Sequence, residues 1–283
     1  MHKNSIGVSL LVFMNRFFNR PVHPFNLEDA SIKTFAEWEF EQSKRISYYY
    51  LPEIDLLREI QNKTILDIGA GSGGKSTFYA LNGAKKVIGI DTEKGFIKQA
   101  KAFAMSKNTK NIEFYVTNAE NMPFKESSID ICVMNDVFEH LQNPEKVLKE
   151  AYRVLKGRGK IFINSPPYYH PYGAHLSDLI GIPYVHILFP EPVLINAYKK
   201  LAENTKSYEK RVNLRFGTVN GEEKITYINR MTVKRCEHII KYENPFKPIH
   251  YKIMPLKEKG IFLLKTPLRE FFTRMIVFVG EKN

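Results

Sequence analysis

The sequence predicts an α/β protein built on a doubly wound parallel sheet, and three observations carry that prediction. From Thr64 onward, strand-like and helix-like segments alternate with short breaks, the pattern of parallel strands joined by helical crossovers. The first strand runs into a glycine-rich turn, ILDIGAGSGGKST (Ile65–Thr77), of the kind that opens a helix beneath a ligand. The second strand ends in an acid, Asp91, about twenty residues further on. With 43% apolar residues in 283, the chain has enough to build an ordinary core.

Residues 1–60 read as an N-terminal helical cover. Its apolar run Gly7–Met14 is far shorter than the roughly 18 residues of a membrane-spanning helix, so no transmembrane span is expected. Asn15, Arg16, Phe17 and Phe18 stand where a signal peptide would place its small-residue cleavage site, so no signal peptide is expected either. IGVSLLVFMNRFFNR can form a basic amphipathic helix resting on an acidic membrane, or simply pack on its own domain. Residues 61–164 form the sheet's main part, with strands TILDIG, KKVIGID, NIEFYVT, IDICVMND and GKIFINS. The clearest helix between them has Asn143 as N-cap, Pro144 at its first position, an apolar stripe at Val147, Leu148, Ala151, Val154 and Leu155, and a stop at Gly157.

After Ser165 the regularity breaks, and residues 165–230 are long enough to be an insertion with its own helices rather than a loop. Residues 231–283 return to the sheet through a helix at Met231–Tyr242 and the strands HYKIMPL and RMIVFVG. Net charge is +12, and residues 165–283 hold 19 Lys and Arg against 11 Asp and Glu. Such an excess favours an anionic partner (nucleic acid, a phosphorylated intermediate or an acidic membrane), and a lysine-rich solvated surface accounts for it equally well. Cys132 and Cys236 lie far apart with no metal spacing, which reads as buried thiols in a reducing cytoplasm.

The glycine-rich turn fits three patterns at once. Gly69, Gly74, Lys75 and Ser76 spell the phosphate loop G-x-x-x-x-G-K-[ST], Gly69, Gly71 and Gly74 spell the dinucleotide G-x-G-x-x-G, and the third reading is a loop for S-adenosylmethionine (SAM). Charge discriminates, because ATP and NAD bring phosphates whereas SAM brings a sulfonium and an amino-acid tail. Asp67 at the mouth of the loop and Asp91 beyond it would repel a triphosphate but suit SAM, one facing the ammonium and the other the ribose hydroxyls. On this reading Lys75 is a solvent-facing helix residue.

ILDIGAGSGG, VIGID, VTNAENMPF, ICVMNDVFEHL and RVLKGRGKIFINSPP, in this order and spacing, resemble the class I SAM-dependent methyltransferases, particularly the type 11 group that includes quinone-pathway enzymes. The resemblance covers roughly residues 60–165 and implies a Rossmann-like sheet and SAM as cofactor. It implies that Asp67, Gly69, Gly71 and Gly73 form the methionine-side loop, that Asp91 binds the ribose, that Asn118 and Ala119 flank the adenine, and that Asn135 lines the methionine end. Family members often carry Asp where this chain has Asn118, whose amide oxygen can still accept from the adenine amine.

The expected acceptor is a small molecule or lipid-linked intermediate, methylated on oxygen or carbon. Catalytic candidates are His140, in the tract that walls the site in the resembling family, and Tyr168, His175 and Asp178 in the insertion. His140 suits a general base and equally a packing histidine, while His175 and Asp178, three apart, would share a helix face as base and orienting acid or as an ordinary surface pair. His186 reads as a satisfied core histidine. Asp136, Glu139 and His140 resemble a divalent-metal set of some quinone O-methyltransferases, a pattern common in relatives without metal, and no metal is expected.

Three alternatives stand beside this reading: a nucleic-acid methyltransferase, a P-loop NTPase, and a SAM-binding protein without activity. SPPYY (Ser165–Tyr169) matches the [NDS]-P-P-Y motif of base-methylating enzymes. It follows the fifth strand rather than the fourth, so it reads as a proline-stiffened exit into the insertion.

Overall fold

The central strands are apolar on both faces, and a parallel sheet with helices on both sides is what buries them. The computed structural model describes residues 5–283. Its strands β1 (Thr64–Ile68), β2 (Lys86–Asp91), β3 (Ile112–Val116), β4 (Ile129–Asn135) and β5 (Leu155–Ser165) pair in parallel. A separate hairpin, β6 (Phe216–Val219) and β7 (Glu222–Ile225), lies in the insertion. β8 (Lys247–Pro255) and β9 (Thr273–Glu281) then complete one seven-stranded sheet, ordered β3-β2-β1-β4-β5-β9-β8, with β9 antiparallel to both neighbours.

Strand periodicity divides the core. Leu66, Ile68, Cys132, Met134, Ile161 and Ile163 face the helices Pro144–Val154 and Val233–Tyr242, while Ile65, Ile131, Val133, Phe162, Val277 and Val279 face Phe78, Tyr79, Tyr50 and Leu56. The strand order reverses between β2-β1 and β4, which opens a crevice at the C-terminal ends of these strands. Among the described residues no helix is long and apolar enough to cross a membrane.

The helix predicted to stop at Gly157 ends earlier, at Val154. Leu155 turns extended and pairs with Ile129, so β5 takes over at once and both Gly157 and Gly159 lie within it. Asn143 occupies the N-cap position, but its side chain donates to Glu120 (2.8 Å) instead of capping the helix.

The N-terminal sixty residues serve two different partners. Helix α1 (Ser5–Asn15) buries Leu11 in the insertion's own core with Leu179, Ile180, Val193 and Tyr198. The Asn15 side chain clamps that contact by donating to the Leu179 carbonyl and accepting from Gly181 N–H, both at 2.8 Å. Helices α2 (Pro24–Asp29) and α3 (Phe35–Gln42) turn toward the crevice, α3 being started by a Thr34/Glu37 capping box. α3 crosses the helix Gly74–Leu81 so closely that a Cβ on Gly74 would lie 2.3 Å from the Ala36 carbonyl oxygen. Gly74, the glycine before the lysine of the phosphate-loop pattern, is thus required by helix packing.

Candidate active site

The crevice is a cavity of about 720 Å³ running from the end of β2, past the glycine-rich turn, to the insertion. At one end Asp91 accepts from the Gly71 N–H (3.0 Å) and the Glu93 N–H (2.9 Å), which aims its carboxylate at the turn. Burial raises its pKa against those two bonds. Asn118 and Ala119 also line the cavity, and the Asn118 amide oxygen already accepts from the Glu120 N–H (2.8 Å). Asn135 lines it from the end of β4, with its side chain tied to the Tyr79 hydroxyl and the Asn164 amide.

Two of the expected loop residues stand behind the cavity wall. Asp67 is 2% exposed and accepts from the Ser76 hydroxyl at 2.5 Å; burial pushes its pKa up to about 6 against that bond. Its carboxylate therefore faces the loop's own helix and not a ligand's ammonium. Gly73 holds a left-handed turn (φ 80°) beneath which a Cβ would lie 2.6 Å from the Ala100 Cβ, so it shapes the loop from behind.

Lys75 is not solvent-facing. Its side chain is only 15% exposed, and its ammonium donates to the Asn135 carbonyl (2.9 Å) and the Asp136 carboxylate (3.0 Å). Burial alone would lower its pKa, but Asp136, Glu39 and Asp67 outweigh it and raise it. Both parts of the phosphate-loop signature, Lys75 and Ser76, are spent on internal carboxylates. A triphosphate at this loop would meet Glu39 and Asp91 on the cavity wall, with Lys75 already neutralised by Asp136, and that disfavours the NTPase alternative.

Sequence reasoning missed Glu39. In α3 and its C-cap, Ala36, Glu39, Phe40 and Ser43 follow i, i+3, i+4, i+7 spacing, so an acid on the helix's inward face was the available signal. Glu39 is 7% exposed and lines the cavity opposite the turn, where its Oε2 accepts a long 3.4 Å bond from the Gly74 N–H. Burial pushes its pKa up to about 7 despite Lys75 and Gly74.

The other end of the cavity gathers His140, His175, Glu139 and Tyr227. His140 Nδ1 lies 2.6 Å from the Tyr227 carbonyl oxygen, an acceptor, so Nδ1 carries the proton and Nε2 keeps a free lone pair. Burial lowers the His140 pKa to about 4, so the ring is neutral near pH 7. His175 stacks edge-on against it with centroids 4.8 Å apart, and is also held well below its ordinary pKa by burial and by His140. Glu139 accepts from the Ser165 hydroxyl (2.9 Å), its other oxygen lies 3.7 Å from His140 Nε2, and burial and Asp136 push its pKa up. Ligand atoms of Glu139, His140 and His175 fall within 4.8 Å of one another, close enough to converge on a divalent ion. Asp136 is paired with Lys75 instead, so the acid-x-x-Glu-His set does not assemble as the resemblance implied.

Asp178 is not the partner of His175. The segment is a series of turns with His175 at φ 55°, so three-residue spacing does not put the two on one helix face. The Asp178 carboxylate is fully buried between Arg211, Arg215 (3.1 Å) and the Tyr198 hydroxyl (2.6 Å). Tyr168 likewise leaves the cavity and packs on His186 (4.8 Å) in the insertion, while Pro166, His170 and Tyr172 of the same tract line the wall. His186 is half-buried in this contact, and burial lowers its pKa to about 4.

Residues 66–163 match the family model of a methyltransferase domain. This segment is a methyltransferase domain. The chain is 32% identical over 99 residues to an uncharacterised methyltransferase of Bacillus subtilis, covering 35% of this chain and 39% of that protein. It is 25% identical over 151 residues to a ubiquinone biosynthesis O-methyltransferase of Neisseria meningitidis, covering 50% and 63%. The chain thus spans less than two thirds of the length of each of these curated relatives. A Listeria monocytogenes crystal structure, assigned as an S-adenosylmethionine-dependent methyltransferase, superposes with a TM-score of 0.51 at 17% identity over 87% of this chain and 98% of that one. That likeness establishes the fold, in agreement with the doubly wound sheet the sequence predicts. The methyltransferase domain ends before the insertion, and α1 to α3 lie outside it as well.

Proposed function

We propose that the chain is a SAM-dependent methyltransferase acting on a hydroxyl or acidic carbon of a small or lipid-linked acceptor. The observation that carries this reading is one continuous cavity in which Asp91, the glycine-rich turn and His140 face the same space. The residues present suit this cofactor: carboxylates, not a phosphate cradle, surround the turn, and Asp91 ends the strand that would meet the ribose. Bound SAM supplies an electrophilic methyl group on a positively charged sulfur. Asp91 holds the ribose hydroxyls, and Asn118 and Ala119 wall the adenine. His140 takes the acceptor's proton at Nε2, while the Tyr227 carbonyl keeps the ring in the tautomer that can do so. α2, α3 and the insertion line the two ends and so limit the access of water.

S-adenosylhomocysteine (SAH) at a hundred times its Kd should stabilise the protein by about 2.7 kcal/mol, seen as a rise in Tm, whereas ATP with Mg and NAD should give none. Stabilisation by ATP with Mg alone would overturn the reading. Asp91→Ala should remove the SAH effect.

A lipid-linked acceptor is supported by α1. Ile6, Leu10, Phe13 and, just past the helix, Phe17 follow one face and are 80%, 50%, 55% and 74% exposed, with Arg16 and Arg20 exposed beside them. The helix is apolar on two sides, one packed on the insertion and one open. The protein should co-sediment with anionic vesicles, and Phe13→Asp should weaken this; no recovery with vesicles, or recovery unchanged by Phe13→Asp, removes the membrane part of the proposal.

A further inference from the structure

The cofactor proposed above ends in an amino acid, so its binding site must take an ammonium as well as a sulfonium into a largely buried cavity. An ammonium removed from water needs an anion or several carbonyl oxygens to replace its hydration. The acid expected to face it, Asp67, is turned away onto Ser76. Lys75 is itself a cation, and Asp136 is already committed to it. Asp91, at the opposite side of the turn, is engaged by two backbone N–H groups.

Glu39 remains. Its carboxylate projects from α3 over the turn, with Oε1 3.2 Å from where a Cβ on Gly71 would sit. It lines the cavity beside Gly69, Gly71 and Lys75. The hydrogen bond it receives, from Gly74 N–H, is long at 3.4 Å. A carboxylate this buried with so little compensation is costly in the ligand-free protein, and a cationic donor in the cavity would relieve it.

We propose that Glu39 binds the α-ammonium of SAM, so that the N-terminal helices complete the cofactor site from outside the methyltransferase domain. The proposal rests on the SAM reading and assigns the ammonium to a residue that the matched domain, residues 66–163, does not contain. It gives α3 a function beyond covering the sheet, since the helix can deliver this carboxylate only because Gly74 lets it approach the turn.

Charge also predicts a pH dependence. The groups facing Glu39 are Lys75 and Asp67 from the β1 turn and helix, and Asp91 from β2. With its pKa raised to about 7, Glu39 is partly protonated at neutral pH, and an ammonium binds the ionised form. Affinity should therefore rise with pH up to about 7, approaching tenfold per pH unit below it, and level off above.

The test uses two ligands, SAH and its deaminated analogue lacking the α-amino group, titrated into the full chain by calorimetry. Glu39→Gln should weaken SAH by roughly 10- to 100-fold, leave the deaminated analogue unchanged and abolish the pH slope. The melting temperature of the ligand-free variant reports its folding separately. If Glu39→Gln weakens both ligands equally, Glu39 only supports the loop and the inference fails; it fails as well if neither ligand is affected. Should the wild type bind neither ligand, the SAM reading falls and takes this inference with it.

Discussion

His140→Gln should lower kcat for methyl transfer to a phenolic acceptor by roughly 10²- to 10⁴-fold, the usual contribution of a positioned general base, while leaving SAH affinity nearly unchanged. The separation follows from the cavity's layout, since the residues proposed to hold the cofactor lie on α3, in the turn after β1, at the end of β2 and just past β3, and the His140 ring faces His175 and Tyr227 at the insertion. Gln retains an amide that can donate to the Tyr227 carbonyl, so the fold contact survives while the basic lone pair is lost. Burial sets the pH signature. With its pKa lowered to about 4, His140 is neutral and competent from weakly acidic pH upward, so kcat/KM in the wild type should fall only as pH drops toward 4. In the variant that acid limb should vanish, and the residual rate should climb with pH as the acceptor ionises on its own. Transfer of a tritium-labelled methyl group from SAM measures both. Chelation separates a base from a metal ligand: wild-type activity should survive EDTA, and a loss restored by zinc would assign Glu139, His140 and His175 to a metal instead. An unchanged kcat in His140→Gln would leave the ring as packing.

The sheet was legible because its signal is local. Strands that alternate between two buried faces, short breaks and a glycine turn between strand and helix can each be read within a dozen residues. Asp91 and Asn135 could be placed on the cavity wall for the same reason, since they end β2 and β4, and Asn118 and Ala119 lie two and three residues past the end of β3. What the sequence concealed depends on contacts between distant segments. The i, i+3 spacing of His175 and Asp178 implied a shared face only if the segment were helical, and the packing of α2 and two insertion helices around Asp178 made it a series of turns. Lys75 belongs on a solvent face by its own helix's pattern, until β4 brings the Asn135 carbonyl and Asp136 to it. Glu39 lies some thirty residues before the turn it covers, and only the crossing of α3 over Gly74 connects them.

Asp178→Ala should be the most destabilising single change in the insertion, costing about 3–5 kcal/mol, because it leaves buried guanidinium groups without their anion. Arg211 and Asp178 are both fully buried at the side chain and Arg215 is 2% exposed. Arg211 would keep Asp29 (2.9 Å), but Arg215 would retain only the carbonyls of His175 (3.0 Å) and Arg211 (3.3 Å). Asp178 also accepts from Tyr198, so one carboxylate ties together α2, the turns after His170 and the helices Glu191–Ala202 and Tyr208–Arg215. Calorimetry should show Tm lowered by roughly 2 °C or more per kcal/mol. Burial would raise the Asp178 pKa, but Arg215, His23, Tyr198 and Arg211 outweigh it and lower it. The stabilisation is therefore present above the unfolded carboxyl's pKa near 4 and is lost as pH falls through the lower folded value, so the gap between wild type and variant should close in acid. This outcome also separates the cluster from catalysis. An acid orienting His175 would be missed chiefly in kcat and its pH profile, with Tm little changed, whereas a cluster that holds the insertion together should show its loss first in Tm and leave SAH binding measurable below the transition.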